Sequence, residues 1–445
     1  MMNKDGTKKL KLNLFLNLML FLFFFSISLN PLVNYILKFS SLHLLFIAVI
    51  FVTSMGILIF RGKLIKNTIF LTIIIYVLTV IVGILLGLAR QSITGQEIFQ
   101  FLSYRIIYPI TFLFYLSLFN KIEKLNKLGI LFLVVINFNA ILISIVGIIE
   151  TLNPSFVHNL YGSSLTNHLT LILNNEFSNR LVSLSGNPIN LGFYMTIGIS
   201  SSLILILMNF KKRKFITFFE VVTIPIMLYV MFYTYSRSAI MLTAVIVVTI
   251  FLFVFRNINL YYKLLMIFFA FLLYMGVNSY LLEIDASITT RIDTITLNSY
   301  FENTRFLRAY EGFANGTNAF EFFFGHGIKS MNSSGAYVFE LGYASLLYES
   351  GIIGFIAVIF SFFKGIKSGV YVFSRENNLN AYLDVFYLSI IISGIVGLFF
   401  QDIYMQLPYS ALLWFSTLYL IFKENLLRYS EKQIQGKNNS PYFKY

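Results

Sequence analysis

Long apolar runs separated by short polar or basic stretches dominate the hydropathy pattern of this chain. A transmembrane helix needs about 20 apolar residues, and by that criterion the sequence predicts twelve spans. The predicted spans cover residues 12–29, 43–60, 68–88, 105–120, 129–149, 188–210, 217–234, 238–255, 264–280, 343–363, 381–400 and 408–422. With no internal repeat and no separate soluble domain, residues 1–445 are expected to form a single all-α polytopic membrane domain.

The apolar stretch around Arg237 is predicted to form two spans. Arg237 is the only charged residue between positions 221 and 255, and one helix of that length would measure roughly 52 Å at 1.5 Å per residue. The hydrocarbon core of a bilayer is only about 30 Å thick. Two spans joined by a tight polar turn at 233–238 therefore fit the membrane, whereas one span does not.

The basic residues predict the orientation. Clusters at 4–11, 61–66, 121–127, 211–214, 256–263, 364–375 and 423–444 fall in alternate loops. With twelve spans they all lie on one side, which the positive-inside rule assigns to the cytoplasm together with both termini. Residues 1–11 and the following apolar run resemble the start of a signal peptide. Because 26–34 offers no small-residue cleavage site, we expect a retained first span.

Composition supports the membrane interpretation and narrows the function classes. Of the 445 residues, 58% are apolar and 12% are charged, against about 25% charged in a soluble domain. The net charge of +14 sits in the short loop clusters, so it does not indicate binding to nucleic acid. The absence of Cys excludes disulfides, thiolate metal sites and a Cys nucleophile.

Two of the predicted outer loops are long, at 150–187 and 281–342, and long connections tend to be functional or disordered. Nine aromatic residues occur between positions 300 and 324, which favours a folded cap on the membrane, with a short helix predicted at 302–314. The cytoplasmic tail 429–445 is rich in Gln, Asn and Lys, and it is predicted to be disordered.

Arginine is concentrated on the predicted outer side. Of nine basic residues there, seven are Arg and only Lys38 and Lys329 are Lys; of the other 24 (33 minus 9), five are Arg. Topology requires only positive charge, but a guanidinium adds bidentate binding of phosphate or carboxylate. The skew suggests an anionic ligand at the outer face. Chance and salt bridges within the loops are the alternative explanation.

Three stretches carry the most specific motifs. Residues 324–355 contain a Gly-His-Gly turn, a loop of small polar residues, and then G-Y-x-x-L-L-x-x-x-G-x-x-G from Gly342 to Gly354. Residues 235–239 read Y-S-R-S-A at the start of a predicted span, and residues 185–192 read S-G-N-P-I-N-L-G shortly after Arg180. The order and predicted sidedness of these stretches are more specific than any one of them.

These stretches resemble the motifs of the O-antigen polymerase and ligase superfamily over roughly residues 175–365. The resemblance also includes the spacing from Arg305 to Gly316, which fits an Arg-x10-Gly pattern of polymerases. Ligases carry a His-Asn pair at the start of the helix that follows the large loop, and here those positions are Glu340 and Leu341. An acidic residue at that point is more similar to the polymerase form.

The resemblance implies a glycosyltransferase of the bacterial cytoplasmic membrane. A polymerase would transfer a growing glycan from polyprenyl diphosphate to a sugar hydroxyl of another lipid-linked repeat unit. Besides that oligosaccharide and membrane lipid, its partners would include a chain-length regulator protein. The protein must neutralise charge on the leaving group and orient the acceptor, and fixed arginines can do this without a metal or cofactor.

Four arginines are predicted to bind the diphosphate, namely Arg180, Arg237, Arg305 and Arg308. Arg237 lies in a turn at the predicted membrane surface, which suits a diphosphate at the height of the lipid headgroups. A snorkelling anchor is the alternative role of this residue. Arg305 and Arg308 would share a helix face, and acidic residues of the same loop are their alternative partners.

Glu340 and His326 are the candidates for the catalytic base, since imidazole titrates near neutral pH. His326 is alternatively a plain turn residue between two glycines, and Glu340 a charge at a helix N-terminus. No His, Asp or Glu cluster has metal-ligand spacing on one helix face. An O-antigen-type ligase and a lipid-linked oligosaccharide flippase remain alternatives. A transporter is less favoured because the spans are nearly free of charge.

Overall fold

The computed structural model describes residues 4–28, 42–60, 68–89, 98, 102–153, 181–185, 187–210, 213–234, 236–254, 319–327, 341–376, 379–401 and 408–438. Within these ranges the regular structure is helical. The predicted span at 264–280 and the predicted helix at 302–314 lie outside the described residues.

Twelve α-helices are described and numbered here in chain order. They are α1 (Lys4–Ser28), α2 (Leu42–Phe60), α3 (Thr68–Ala89), α4 (Tyr108–Ser117), α5 (Ile122–Leu152), α6 (Pro188–Asn209), α7 (Lys214–Tyr233), α8 (Arg237–Val254), α9 (Ala319–Phe324), α10 (Gly342–Arg375), α11 (Asn380–Gly397) and α12 (Tyr409–Asn438). A π-helical turn, Leu102–Ile107, precedes α4, and a short 3-10 turn spans Ser183–Ser185.

Seven of the described helices are long and apolar enough to cross a membrane: α2, α3, α5, α6, α7, α10 and α11. Shorter apolar stretches lie in α1 (Phe15–Ile27) and α8 (Ser238–Val254). The protein is therefore a helical, multi-pass membrane protein. The count of twelve spans stays a prediction.

The segment predicted as one span at 105–120 is divided. Its α-helix covers only 10 residues, and the π-helical turn leads into it. The reason lies at Pro109, in the first turn of α4. Proline has no N–H to donate, so it is tolerated at a helix start but breaks the hydrogen-bond ladder inside a helix.

Helices α10 and α12 run beyond their predicted ends. Residues 429–438, which belong to the tail predicted to be disordered, continue α12 in the structure. Polar contacts with α10 explain the extension, because the Ser368 hydroxyl donates to Glu424 at 2.6 Å and the Tyr371 hydroxyl donates to Glu431 at 2.8 Å. The Arg428 guanidinium also lies 4.2 Å from the centre of the Tyr371 ring.

Large apolar side chains cover the outside of the helical bundle, as expected for a surface that faces lipid. Val52, Leu71 and Phe218 are each more than 60% exposed. Aromatic packing fills the interior, where the rings of Phe132 and Phe415 stack at 3.9 Å beside the fully buried Trp414. Since lipid is as apolar as such a core, close packing and polar contacts hold membrane helices together.

Contacts show which ends of the helices meet. Gly327 packs against Gly87 at the end of α3, while Lys364 near the end of α10 contacts Thr68 at the start of α3. Helices α3 and α10 are therefore antiparallel. The start of α12 lies beside the end of α11, where Tyr409 contacts Ser393.

A buried charged group ties the opposite end of α10, α11 and α12. The Lys423 ammonium lies 2.7 Å from Asp384 and 2.9 Å from Glu376, and Lys423 and Asp384 are fully buried. Two carboxylates thus share one ammonium group. Only Asp384 lies inside a predicted span, 381–400, so the hydropathy pattern does not show that these three residues meet.

Glycine permits close contact where α6 crosses α5 and α7. A methyl group on Gly198 would overlap the Cβ of Ala140 and lie 2.6 Å from the Met227 sulfur.

We predict that Gly198→Ala lowers the free energy of unfolding by about 1–3 kcal/mol through overpacking, measured as thermal unfolding in detergent. The control is Gly56→Ala, because nothing lies within 4 Å of the added methyl in α2. Equal unfolding temperatures for the two variants would contradict this packing.

Candidate functional site

The site is organised around a break in α10. Gly351 has φ 66° and ψ −178°, inside a helix that is otherwise continuous from Gly342 to Arg375. This backbone conformation is accessible almost only to glycine. The break interrupts the helical hydrogen-bond ladder and leaves backbone groups near residue 351 that need other partners.

The Gly-His-Gly turn packs against this break. The His326 amide donates to the Tyr348 carbonyl at 2.7 Å, and a methyl group on Gly325 would overlap the Glu349 carbonyl oxygen. Both Gly325 and Gly327 have positive φ, at 92° and 95°. Residues 325–327 therefore fit closely between the break in α10 and the end of α3.

His326 is held by its neighbours within this turn. Its ring stacks on Tyr348 with the centroids 4.1 Å apart and the planes 6° apart. Its Nε2 lies 3.7 Å from a carboxylate oxygen of Glu321 in α9. His326 and Glu321 are both buried. An imidazole beside a carboxylate is suited to accept a proton, because the carboxylate stabilises the imidazolium that forms.

A buried ion pair involves Glu349, the residue that directly follows Tyr348 in α10. Arg105 Nη2 is 2.6 Å from Glu349 Oε2, with the two side chains 1% and 8% exposed. The same nitrogen donates to the Ser345 hydroxyl at 3.3 Å. Removal of one partner from a buried pair typically costs about 3–5 kcal/mol, so this contact strongly constrains α10 before its break.

The other two motifs also meet. Gly192, the last residue of S-G-N-P-I-N-L-G, packs where a methyl group would be 2.6 Å from the Ala239 Cβ and 3.2 Å from the Ser236 Cβ. Ser236 caps α8 by accepting from the Ala239 amide at 3.4 Å. Asn187 caps α6 through its side chain, which accepts from the Ile189 amide at 2.8 Å. Arg237 is thus the first residue of α8, next to the start of α6.

Glu150 anchors the segment that leads into α6. Its carboxylate accepts from the consecutive amides of Val182 and Ser183, the shortest contact being 2.7 Å. The Ser183 hydroxyl donates to the Ile143 carbonyl at 2.6 Å, and the Leu181 amide donates to the Tyr233 carbonyl at 3.1 Å. This places residues 181–183 over the ends of α5 and α7.

The predicted site residues are only partly described. His326 is buried in the turn, and Arg237 begins α8, although the course of its side chain is not described. Glu340, Arg180, Arg305 and Arg308 lie outside the described residues. Their roles therefore stay predictions.

Sequence reasoning missed the partners of His326 and the Arg105–Glu349 pair. Neither Arg105 nor Glu349 is among the site residues that the sequence analysis predicts. The available signal was the position of each charge within or beside an apolar span, where an ionisable residue is a functional hypothesis by default. What the sequence does not reveal is the pairing of two residues 244 positions apart.

Comparison with known proteins finds no matching family model, no matching curated protein and no matching solved structure.

The break in α10 gives a direct test of the site geometry. We predict that Gly351→Ala costs about 1–3 kcal/mol, because alanine must adopt a conformation that only glycine tolerates. The Gly-His-Gly turn should then exchange its amide hydrogens about tenfold faster in residues 319–327. Hydrogen–deuterium exchange read by mass spectrometry measures this, with Gly56→Ala as the control. Unchanged exchange in 319–327 would show that the turn does not depend on the break.

Proposed function

We propose that this protein is a polysaccharide polymerase of the bacterial cytoplasmic membrane. It transfers a growing glycan from polyprenyl diphosphate to a sugar hydroxyl of another lipid-linked repeat unit. In this proposal the chain has twelve spans with both termini in the cytoplasm. The two long loops then lie on the outer side, where lipid-linked glycans are the available donors.

The observation that carries the proposal is the pairing of the motifs. The Gly-His-Gly turn packs on the helix break of the motif from Gly342 to Gly354, and Gly192 packs on the turn that contains Arg237. These motifs come from the three stretches on which the resemblance to the O-antigen polymerase superfamily is based, and the first two lie in the same stretch, 324–355. The contact between the separate stretches 185–192 and 235–239, together with the packing within 324–355, supports a shared role.

The chain supplies groups for each charge and proton that the proposed reaction moves. The acceptor hydroxyl attacks the anomeric carbon, and the bond from that carbon to the diphosphate oxygen breaks with its electron pair on the oxygen. Arg237, Arg180, Arg305 and Arg308 neutralise the departing polyprenyl diphosphate. The hydroxyl proton passes to His326 or Glu340, and Glu321 stabilises His326 as it becomes charged.

A flippase for the same lipid-linked oligosaccharide is the second candidate, and one observation favours it. Within the apolar helices α5, α6 and α7, the Asn137 amide lies within 3.2 Å of Ser201, Ser202 and the Glu220 carboxylate. Buried ionisable groups of this kind often mark transport pathways. The polymerase is preferred because the motifs lie at helix ends, where long loops meet the bundle.

The test removes the guanidinium of Arg237. Arg237→Ala should reduce long-chain surface polysaccharide about a hundredfold or more, while single-repeat lipid-linked precursor accumulates at the outer leaflet. Arg237→Lys and Arg305→Lys keep the charge but lose the bidentate fork, so both should also shorten the chains. Chain-length ladders on gels and an assay of precursor sidedness measure the two effects.

Arg428→Ala is the matched control, since Arg428 is half exposed on α12 and pairs with Glu424 on the same helix. It should leave the ladder unchanged at equal expression. An unchanged ladder in Arg237→Ala would refute the diphosphate role of Arg237. Precursor trapped on the cytoplasmic side would instead indicate a flippase, and precursor carrying full-length glycan would indicate a ligase.

A further inference from the structure

The Arg105–Glu349 pair fixes one particular piece of α10. Glu349 and Ser345 are four residues apart on one helix face, and Arg105 Nη2 contacts both, at 2.6 and 3.3 Å. That face belongs to the segment Gly342–Ser350, which ends at the break. The pair therefore ties this segment to the π-helical turn that contains Arg105.

The same segment, Gly342–Ser350, packs against His326. The Tyr348 carbonyl accepts a hydrogen bond from the His326 amide, and the Tyr348 ring stacks on the His326 imidazole. A methyl group on Gly325 would overlap the Glu349 carbonyl oxygen, and one on Gly351 would overlap the Phe323 carbonyl oxygen and the Gly325 amide nitrogen. One residue, Glu349, thus binds Arg105 through its side chain and contacts the Gly-His-Gly turn through its backbone.

The local structure around Arg105 is unusual. Arg105 lies in the π-helical turn, and such turns often occur at functional sites because they alter the direction of a side chain. A well-packed apolar pair is commonly as stabilising as a buried ion pair. What an ion pair with a fork-shaped donor adds is a fixed direction of approach.

We propose that Arg105 is a positioning residue that holds His326 in place through Glu349. The role in glycan transfer rests on the proposed function, whereas the mechanical link can be measured without it. Disruption of the pair should make the segment before the break more mobile, and the contact between Tyr348 and the His326 imidazole should loosen with it. Stability elsewhere in the bundle should change much less.

The test measures the accessibility of His326 directly. The purified protein in lipid nanodiscs is treated with diethyl pyrocarbonate, and the modification of His326 is followed by mass spectrometry. In the wild type, burial of His326 should make this modification slow. Glu349→Gln keeps the shape but removes the charge, and it should speed the modification roughly tenfold. Arg105→Lys should act in the same direction, because the ammonium keeps the charge but does not place a nitrogen at the position of Nη2 between Glu349 and Ser345.

The control is Asp384→Asn, which removes a partner of the buried Lys423 at the other end of the bundle. It should leave the His326 rate unchanged, which separates a local link from a general loss of stability. The reversed pair, Arg105→Glu with Glu349→Arg, should restore a slow rate. Rates that stay at the wild-type value in both Glu349→Gln and Arg105→Lys, or that rise equally in Asp384→Asn, would overturn the proposal.

Polysaccharide from cells that carry the same variants separates the two proposals. Faster modification of His326 together with shorter chains supports both. Faster modification with a normal chain-length ladder supports the positioning role and refutes the participation of His326 in transfer. Unchanged modification with shorter chains refutes the positioning role and leaves the proposed function standing.

Discussion

The break in α10 at Gly351 is the constraint on which this end of the molecule depends. A continuous helix would satisfy its own backbone and present a smooth side to its neighbours. At the break, the Tyr348 carbonyl instead accepts from His326, and the glycines at 325 and 351 allow the two backbones to touch. The sequence uses glycine where no other residue fits, and the result is an imidazole placed beside a carboxylate at a helix end.

Charges inside the bundle follow the rule that a buried ion needs a partner. Arg105 pairs with Glu349 near the break, and Lys423 pairs with Asp384 and Glu376 at the opposite end. The first pair adjoins residues that carry the motifs, while the second joins three helices and contacts no motif residue. This difference separates a role in the site from a role in assembly, although both pairs look alike in burial and distance.

The helical membrane class was predictable because apolar runs of about 20 residues have few other solutions. The division of the apolar stretch around Arg237 into two helices was also predictable, since a single helix there would exceed the membrane. The π-helical turn, the extension of α12 to Asn438 and the ion pairs were not. Each depends on contacts between residues far apart in the sequence, which periodicity and charge counting do not record.

In the proposed topology, the end of the bundle with the Gly-His-Gly turn faces the outside of the cell. The chain contains no Cys, so single cysteines report sidedness cleanly. Phe320 and Tyr429, which are 52% and 63% exposed at opposite ends, are each replaced by Cys and treated with a membrane-impermeant maleimide. With the proposed orientation, position 320 is labelled in intact cells and position 429 only after permeabilisation. The reverse pattern would contradict the account.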